Sequence, residues 1–308
     1  MKMDELLSGA LLGDASVYSQ NDKYFSYKIT AKDKNFVEWL KELFNNFGIK
    51  CWISQDNPNL FSVWFYINSC PYLELLSLRR KWYKRCNNKI IKTLPNDLKI
   101  TPTILLFWYL GDGSLIRRKN DQNRVPTIVL ATNCFSKEDI EFLIKKLKYS
   151  NLNFYPVKYK SGFTGKECGY CLYSNTQDGT PYRFFKFMGF ECPKEIENCS
   201  TGCKGIYHEE KFFKNKWPTE EDWIKILSNI KEVAEILKKR RKQLNLTQKQ
   251  VAGLVGVCRE HIRDIENGRR YGSVKIFRKV LKALNIDVKY LLSKLNKRYS
   301  TNFVDQKN

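Results

Sequence analysis

Two aspartates end two matched apolar runs in this 308-residue chain. Near the start the residues read Leu7-Ser8-Gly9-Ala10-Leu11-Leu12-Gly13-Asp14-Ala15-Ser16. Further on they read Leu105-Leu106-Phe107-Trp108-Tyr109-Leu110-Gly111-Asp112-Gly113-Ser114. Each run has helical character and stops at Gly-Asp-(Ala/Gly)-Ser. An aspartate at a helix C-terminus faces the negative end of the helix dipole, a poor place for an anion. Two such acids at matched helix ends call for something positive between them, and a divalent metal with hard oxygen ligands answers that need.

The elements that position the acids repeat. After the first motif, Ser26–Thr30, Lys50–Ser54 and Phe61–Asn68 alternate polar and apolar residues, the period of half-buried strands. Between them Phe36, Leu40, Leu43 and Phe44 have helical spacing, ended by Gly48, and Pro71 opens a further helix. The second motif leads into Ser114–Arg118 and Pro126–Thr132 as strands, then a capped helix from Ser136. Phe154–Lys160 and Tyr170–Ser174 follow as strands, and Tyr182–Met188 as the last helix. A repeat of this size implies a pseudo-twofold unit whose motif helices pack side by side, bringing Asp14 and Asp112 together. Gly9 and Gly13, four apart on one helix face, permit a close approach there.

Charge narrows the partner. The chain carries a net +22, a field that attracts a polyanion. Residues 231–308 hold 20 Lys/Arg against 7 Asp/Glu, so the C-terminal quarter is the most basic part per residue. One strand face of the first repeat displays Ser26, Lys28, Thr30, Lys50, Trp52, Ser54, Ser62, Trp64, Tyr66 and Asn68. Long polar and aromatic side chains on a basic sheet suit a groove-lining surface better than a merely solvated one. Arg118, Asn133, Lys158 and Lys160 are the corresponding candidates in the second repeat. No apolar run has membrane-spanning length and no secretory signal precedes the first motif, so a cytoplasmic site (prokaryotic, phage or organellar interior) is expected. The ten cysteines then read as mostly buried thiols. Cys168, Cys171, Cys199 and Cys203 have pairs that a four-thiolate zinc site would use, but small packing residues are the better reading.

The motifs resemble those of the LAGLIDADG homing endonucleases in their monomeric, two-repeat form. Lys92-Thr93-Leu94-Pro95, Thr101-Pro102 and the run to Asp112-Gly113 are similar to the spaced sequence of the family's mitochondrial branch, and Ile128–Asn133 with Phe135-Ser136 looks like its strand-to-helix junction. The resemblance covers roughly residues 4–200. It implies two αββαββα repeats forming a saddle over double-stranded DNA, residues 1–98 and 99–205. It implies Mg²⁺ (or Mn²⁺) held by Asp14 and Asp112, hydrolysis of both strands across the minor groove, and 3′ overhangs. Lys92 matches the active-site lysine. Its symmetry mate falls shortly after Pro193, where this chain has Asn198 with Lys194 nearby, so that lysine is missing or displaced. Phe107 replaces a small residue, and Ala15 replaces a glycine.

Residues 206–228 read as linker and 229–308 as a helical domain, with a capped helix start at Thr219. The run Leu246-Thr247-Gln248…Ala252…Gly256-Val257-Cys258…Ile262…Ile265-Glu266-Asn267-Gly268-Arg269-Arg270 resembles a Cro/C1-type helix-turn-helix. Thr247 caps its first helix and Gly256 makes the turn. Arg259, Glu260, His261 and Arg263 would face the major groove, with Gln248 and Arg269-Arg270 at phosphates. The function implied is a monomeric site-specific double-strand endonuclease whose extra domain lengthens the target or binds an operator. A non-enzymatic transcription regulator and an intron RNA maturase are the alternatives.

Overall fold

The apolar runs that end in the two acids are helices, α1 (Met3–Leu12) and α4 (Pro102–Asp112). Thr101 caps α4 by accepting a hydrogen bond from the Ile104 amide at 3.3 Å, and Pro102 begins the helix where no amide is needed. Seven of the eleven α4 residues are buried, as expected for a helix apolar all round. The two helices meet through glycine. A Cβ on Gly9 would lie 2.7 Å from the Ile104 carbonyl oxygen and 2.9 Å from Phe107 Cβ. The bulk of Phe107 is therefore matched by the absence of a side chain at Gly9. Gly9→Ala is expected to cost about 1–3 kcal/mol through forced separation of the helices. A urea melt with an unchanged midpoint would contradict this.

The computed structural model describes residues 1–19, 25–59, 62–72, 74–87, 89–118, 123–160, 167–199, 211–269 and 273–296. The chain divides into two compact units. The first comprises Met1–Leu115, Ile128–Ser174 and Phe187–Trp217; the second comprises Ile116–Thr127, Asn175–Lys186 and Pro218–Asn308.

The first unit carries the repeated sheets. Strands β1 (Ala15–Tyr18), β2 (Ser26–Ala31), β3 (Cys51–Asn59) and β4 (Ser62–Ser69) form an antiparallel sheet in the order β1-β2-β4-β3. Helices α2 (Lys34–Asn46) and α3 (Glu74–Trp82) complete the repeat. The second repeat has β7 (Gly113–Ile116), β8 (Thr127–Ala131), β9 (Phe154–Lys160) and β10 (Glu167–Ser174) in the matching order β7-β8-β10-β9, with helix α5 (Lys137–Tyr149); the helix next in sequence, α6 (Thr180–Met188), belongs through Lys186 to the second unit. Both repeats thus run αββαββα, and the mixed α and β architecture with antiparallel sheets is the expected one. The apolar strand faces close on the helices: Ile29, Ile67, Leu40 and Phe44 in one repeat, Leu130, Leu172, Leu143 and Leu147 in the other. The Tyr27 hydroxyl donates to the Leu7 carbonyl at 2.6 Å and ties the first sheet to α1.

Two features were not expected from sequence. A two-stranded hairpin, β5 (Tyr83–Cys86) and β6 (Lys89–Lys92), stands between the repeats. Its turn places Asn87 at φ 45, the left-handed conformation that two-residue hairpin turns require. The segment read as linker contains α7 (Phe212–Asn215) in the first unit, whereas the capped start expected at Thr219 does open a helix, α8 (Glu220–Leu227), in the second.

The second unit adds α9 (Lys231–Gln243), α10 (Gln248–Val255), α11 (Arg259–Glu266), α12 (Val274–Ala283) and α13 (Val288–Asn296). Val251, Val255, Ile262, Ile265, Phe277 and Leu291 form its core. Thr247 caps α10 in a capping box with Gln250, and Gly256 ends it at φ 77. Cys258, at the start of α11, makes no side-chain cap bond. The buried Arg241 grips Glu266 at 2.6 and 2.9 Å and also donates to the Leu246 carbonyl at 2.8 Å. Among the described residues no helix is long and apolar enough to cross a membrane.

Candidate active site and nucleic-acid interface

Asp14 and Asp112 leave α1 and α4 where the helix ends touch. A Cβ on Gly111 would sit 3.3 Å from the Asp14 amide nitrogen and 3.5 Å from Asp14 Oδ2. A Cβ on Gly13 would sit 3.5 Å from the Asp112 nitrogen. The two acids therefore flank a seam of glycine backbone, as the repeat implied. Asp14 still reaches solvent, whereas Asp112 is half-buried. Burial pushes the Asp112 carboxyl up to about 7, and the neighbouring Asp14 charge adds to the rise. Burial also raises Asp14, opposed by Lys216 and then Lys92.

The stability consequence has a definite sign. The folded state holds the Asp112 proton more tightly than the unfolded chain, so ionising Asp112 between about pH 4 and 7 destabilises the fold. Asp112→Asn removes that penalty. The variant is expected to melt a few degrees above the parent at pH 8 without divalent metal, an effect on the order of 2 kcal/mol, and no higher at pH 4. A pH-independent difference in melting temperature would contradict this.

Two lysines flank the acids. Lys92, at the end of β6, donates to the Gly13 carbonyl at 3.3 Å and the Ala15 carbonyl at 3.0 Å. Its ammonium pKa is lowered by burial, although Cys134, Asp112 and Asp14 pull the other way. The second lysine is Lys216. It is 6% exposed, and its Nζ donates to the carbonyls of Tyr109 (3.3 Å), Leu110 (2.7 Å) and Gly111 (3.2 Å). A cation on the last carbonyls of a helix neutralises the dipole end that faces the acids. The two lysines serve the two motifs alike, each bonded to backbone carbonyls at the motif's end.

The local sequence explains how Lys216 gets there. Phe213 of α7 packs on Phe36 of α2 with ring centroids 4.4 Å apart. Trp217 meets the Tyr109 ring edge-on at 5.7 Å and donates to the Gly189 carbonyl at 3.2 Å. The Tyr109 hydroxyl donates to the Lys216 carbonyl at 2.5 Å. Aromatic residues on both sides of Lys216 thus pin the segment into the first unit. Asn198 and Lys194, the positions expected from sequence, have no such bonds to the motif helices among those described here. The available signal was Phe212-Phe213 and Trp217 closely flanking Lys214 and Lys216, too apolar for a linker.

The strand register tests the proposed groove face. Lys28 pairs with Asn68 and Thr30 with Tyr66, while Trp52 and Ser54 pair with the same two residues from the other side. Directly opposed residues share a face, so these side chains stand together. Trp52 is 47% exposed, Lys50 is exposed, and the Lys28 ammonium lies 4.0 Å over the Tyr66 ring. Trp64 is half-buried. Ser26 and Asn68 are buried, and the Asn68 amide donates to Ser54 at 2.9 Å, so neither presents a free surface. In the second sheet Lys158 opposes Tyr170 and Pro156 opposes Leu172, which puts Lys158 on the face of the buried Leu172. Lys158 is itself exposed, and the opposite face shows Tyr155 and Tyr159, both exposed and neither singled out from sequence. Asn133 is exposed and accepts from the Cys171 thiol; the Lys160 side chain lies outside the described residues.

In the second unit Arg118, Arg259, Glu260, Arg263 and Arg269 are exposed. His261 is half-buried, and its Nε2 has no hydrogen-bond partner among the described residues. Gln248, expected at a phosphate, donates to Glu266 at 2.9 Å. Arg270 lies outside the described residues. Of the thiols a zinc site would use, Cys203 and the Cys168 side chain also lie outside them, while burial pushes the Cys199 thiol up to about 12.

Repeated αββαββα units with paired acids, followed by a helix-turn-helix, define a class of DNA-binding protein. The chain belongs to the LAGLIDADG DNA endonuclease family, whose model matches residues 4–180, and a helix-turn-helix model matches residues 237–291. An uncharacterised protein of Methanocaldococcus jannaschii is 32% identical over 147 residues, covering 46% of this chain and 54% of its own length. The chain thus spans about half the length of that relative. The ImmF control region 10 kDa protein of Bacillus phage phi105 is 33% identical over 61 residues, 20% of this chain and 68% of its own. Among solved structures, the homing endonuclease I-WcaI bound to its DNA recognition sequence aligns with 21% identity and a TM-score of 0.49, over 59% of this chain and 78% of that one.

Proposed function

We propose that the chain is a site-specific endodeoxyribonuclease that hydrolyses both strands of a long DNA target with a divalent metal, leaving 3′ overhangs. The observation that carries this reading is the paired carboxylates of Asp14 and Asp112 flanked by Lys92 and Lys216. Two acids whose charges repel, at a helix-end seam, fit a hard cation such as Mg²⁺ or Mn²⁺, which both would hold. When bound, the metal supplies an activated water and neutralises charge on the phosphorane. The two lysines keep the helix-end carbonyls from repelling the phosphate and hold positive charge beside the reacting group. Trp52, Lys28 and Tyr66 on the first sheet, with Tyr155 and Tyr159 on the second, present the DNA-facing surface. The helix-turn-helix either extends the target through Arg259, Glu260 and Arg263 or binds an operator.

The test is a cleavage selection on genomic fragments with the full chain, in Mg²⁺ or in EDTA. A unique Mg²⁺-dependent double-strand cut supports the reading and supplies the site. Specific DNA retention with no cut in Mg²⁺ or Mn²⁺ overturns it in favour of a regulator.

A further inference from the structure

The hairpin β5–β6 carries an outer end that the site does not use. Its register opposes Tyr83 to Lys92 and Arg85 to Ile90 on one face, and Lys84 to Ile91 and Cys86 to Lys89 on the other. The base of the first face is fixed. The Tyr83 hydroxyl accepts from the Val17 amide at 3.1 Å, and Arg79 lies 3.9 Å over the Tyr83 ring while donating to the Val17 carbonyl at 2.6 Å. Lys92 reaches the carbonyls of Gly13 and Ala15 beside the acids. The same face then continues outward to Arg85 and Ile90, about 7 Å beyond Lys92.

Nothing described covers that outer end. Ile90 is 56% exposed and Ile91 is 45% exposed, and Lys84, Arg85 and Lys89 are exposed beside them. Residues 79–92 include seven Lys/Arg and no acid. Scattered exposed isoleucines are ordinary, but two adjacent ones at the tip of a hairpin otherwise rich in cations are not. A protein partner would need an apolar pocket with an acidic rim. A DNA groove offers phosphates on both walls and apolar sugar and base surface between them, and proteins that enter the minor groove use aliphatic wedges beside cations. Lys92 ties the base of this hairpin to the Gly13 and Ala15 carbonyls that bracket Asp14, so the hairpin starts next to the acids.

We propose that the β5–β6 hairpin is a minor-groove element that enters the duplex next to the cut, with Ile90 against the base edges and Arg85 on a flanking phosphate. This rests on the reading of Asp14 and Asp112 as the cleavage centre. The hairpin then distorts the base step on which the acids act and adds sequence preference through deformability.

The test uses the full chain and duplexes recovered by binding in EDTA, so that it does not depend on cutting. With p-benzoylphenylalanine in place of Ile90, irradiation should attach the protein to bases within a few pairs of the duplex centre. Arg85→Ala should weaken binding about tenfold and reduce the slope of log affinity against log salt by about one. Ile90→Ala should leave that slope unchanged and abolish the 2-aminopurine fluorescence rise at the central step. Thermal melts check that both variants fold. Crosslinking through position 90 without any cutting in Mg²⁺ would keep the hairpin contact and remove the nuclease reading. Crosslinking from position 52 but not from 90, with unaltered binding by both variants, would overturn the hairpin proposal while leaving that reading intact.

Discussion

Asp112→Asn is expected to lower double-strand cleavage by on the order of 10³ or more while leaving DNA binding within a few-fold of the parent. The magnitude follows from what the metal supplies, several kcal/mol of transition-state stabilisation, with each 1.4 kcal/mol worth a factor of ten. An asparagine keeps the shape of the site and the seam at Gly111 but removes one of the two carboxylates proposed to hold the metal. Asp14→Asn should behave in the same way, because Asp14 Oδ2 lies against Gly111 at the same seam. Binding should survive or improve slightly, since on the proposed reading each variant removes a negative charge from a surface that meets phosphates. Gel shift and cleavage on the same duplex separate the two effects. Unimpaired cutting by either variant would remove that acid from the metal site. A nick in one strand only would mean that the acids act separately on the two strands.

The acids were legible in the sequence because their environment is local: an apolar helix, a Gly-Asp stop and a second copy. The repeat was legible for the same reason, since strand alternation and a helix cap such as Ser136 are set by near neighbours, a rule that Asp33 also obeys at the start of α2. Asp33 accepts from the Phe36 amide at 2.6 Å, a cap that depends on a spacing of three. What was not legible depends on distant partners. Asn68 is buried and bonded across strands to Ser54, which periodicity does not reveal. Gln248 looks free in sequence and is held by Glu266, which Arg241 in turn positions. The hairpin escaped because its cations interrupt the apolar alternation that marks a strand, leaving only the Asn87 turn as a signal.

Lys216→Met is expected to cut cleavage by about 10²–10³, the range seen when one positive or hydrogen-bonding group is taken from a developing charge. Sequence alone gave no role to this residue, and its position argues for two effects with different signatures. Its ammonium occupies the three carbonyls that end α4, so its loss leaves a bare dipole end beside Asp112. It also pulls both carboxyl pKa values down, so its loss should raise them further. The rising limb of the pH–rate profile should therefore move to higher pH in Lys216→Met. A residue that only braces the fold would lower the melting temperature and leave that limb in place. Lys92→Met should shift the limb in the same direction, because Lys92 opposes the same rise. The double variant tests whether the lysines act as a pair: a loss smaller than the product of the two single losses would show that they stabilise one shared charge. Full cleavage by Lys216→Met with an unshifted profile would return Lys216 to a purely structural role. It would also leave the second motif without the cation that Lys92 supplies to the first.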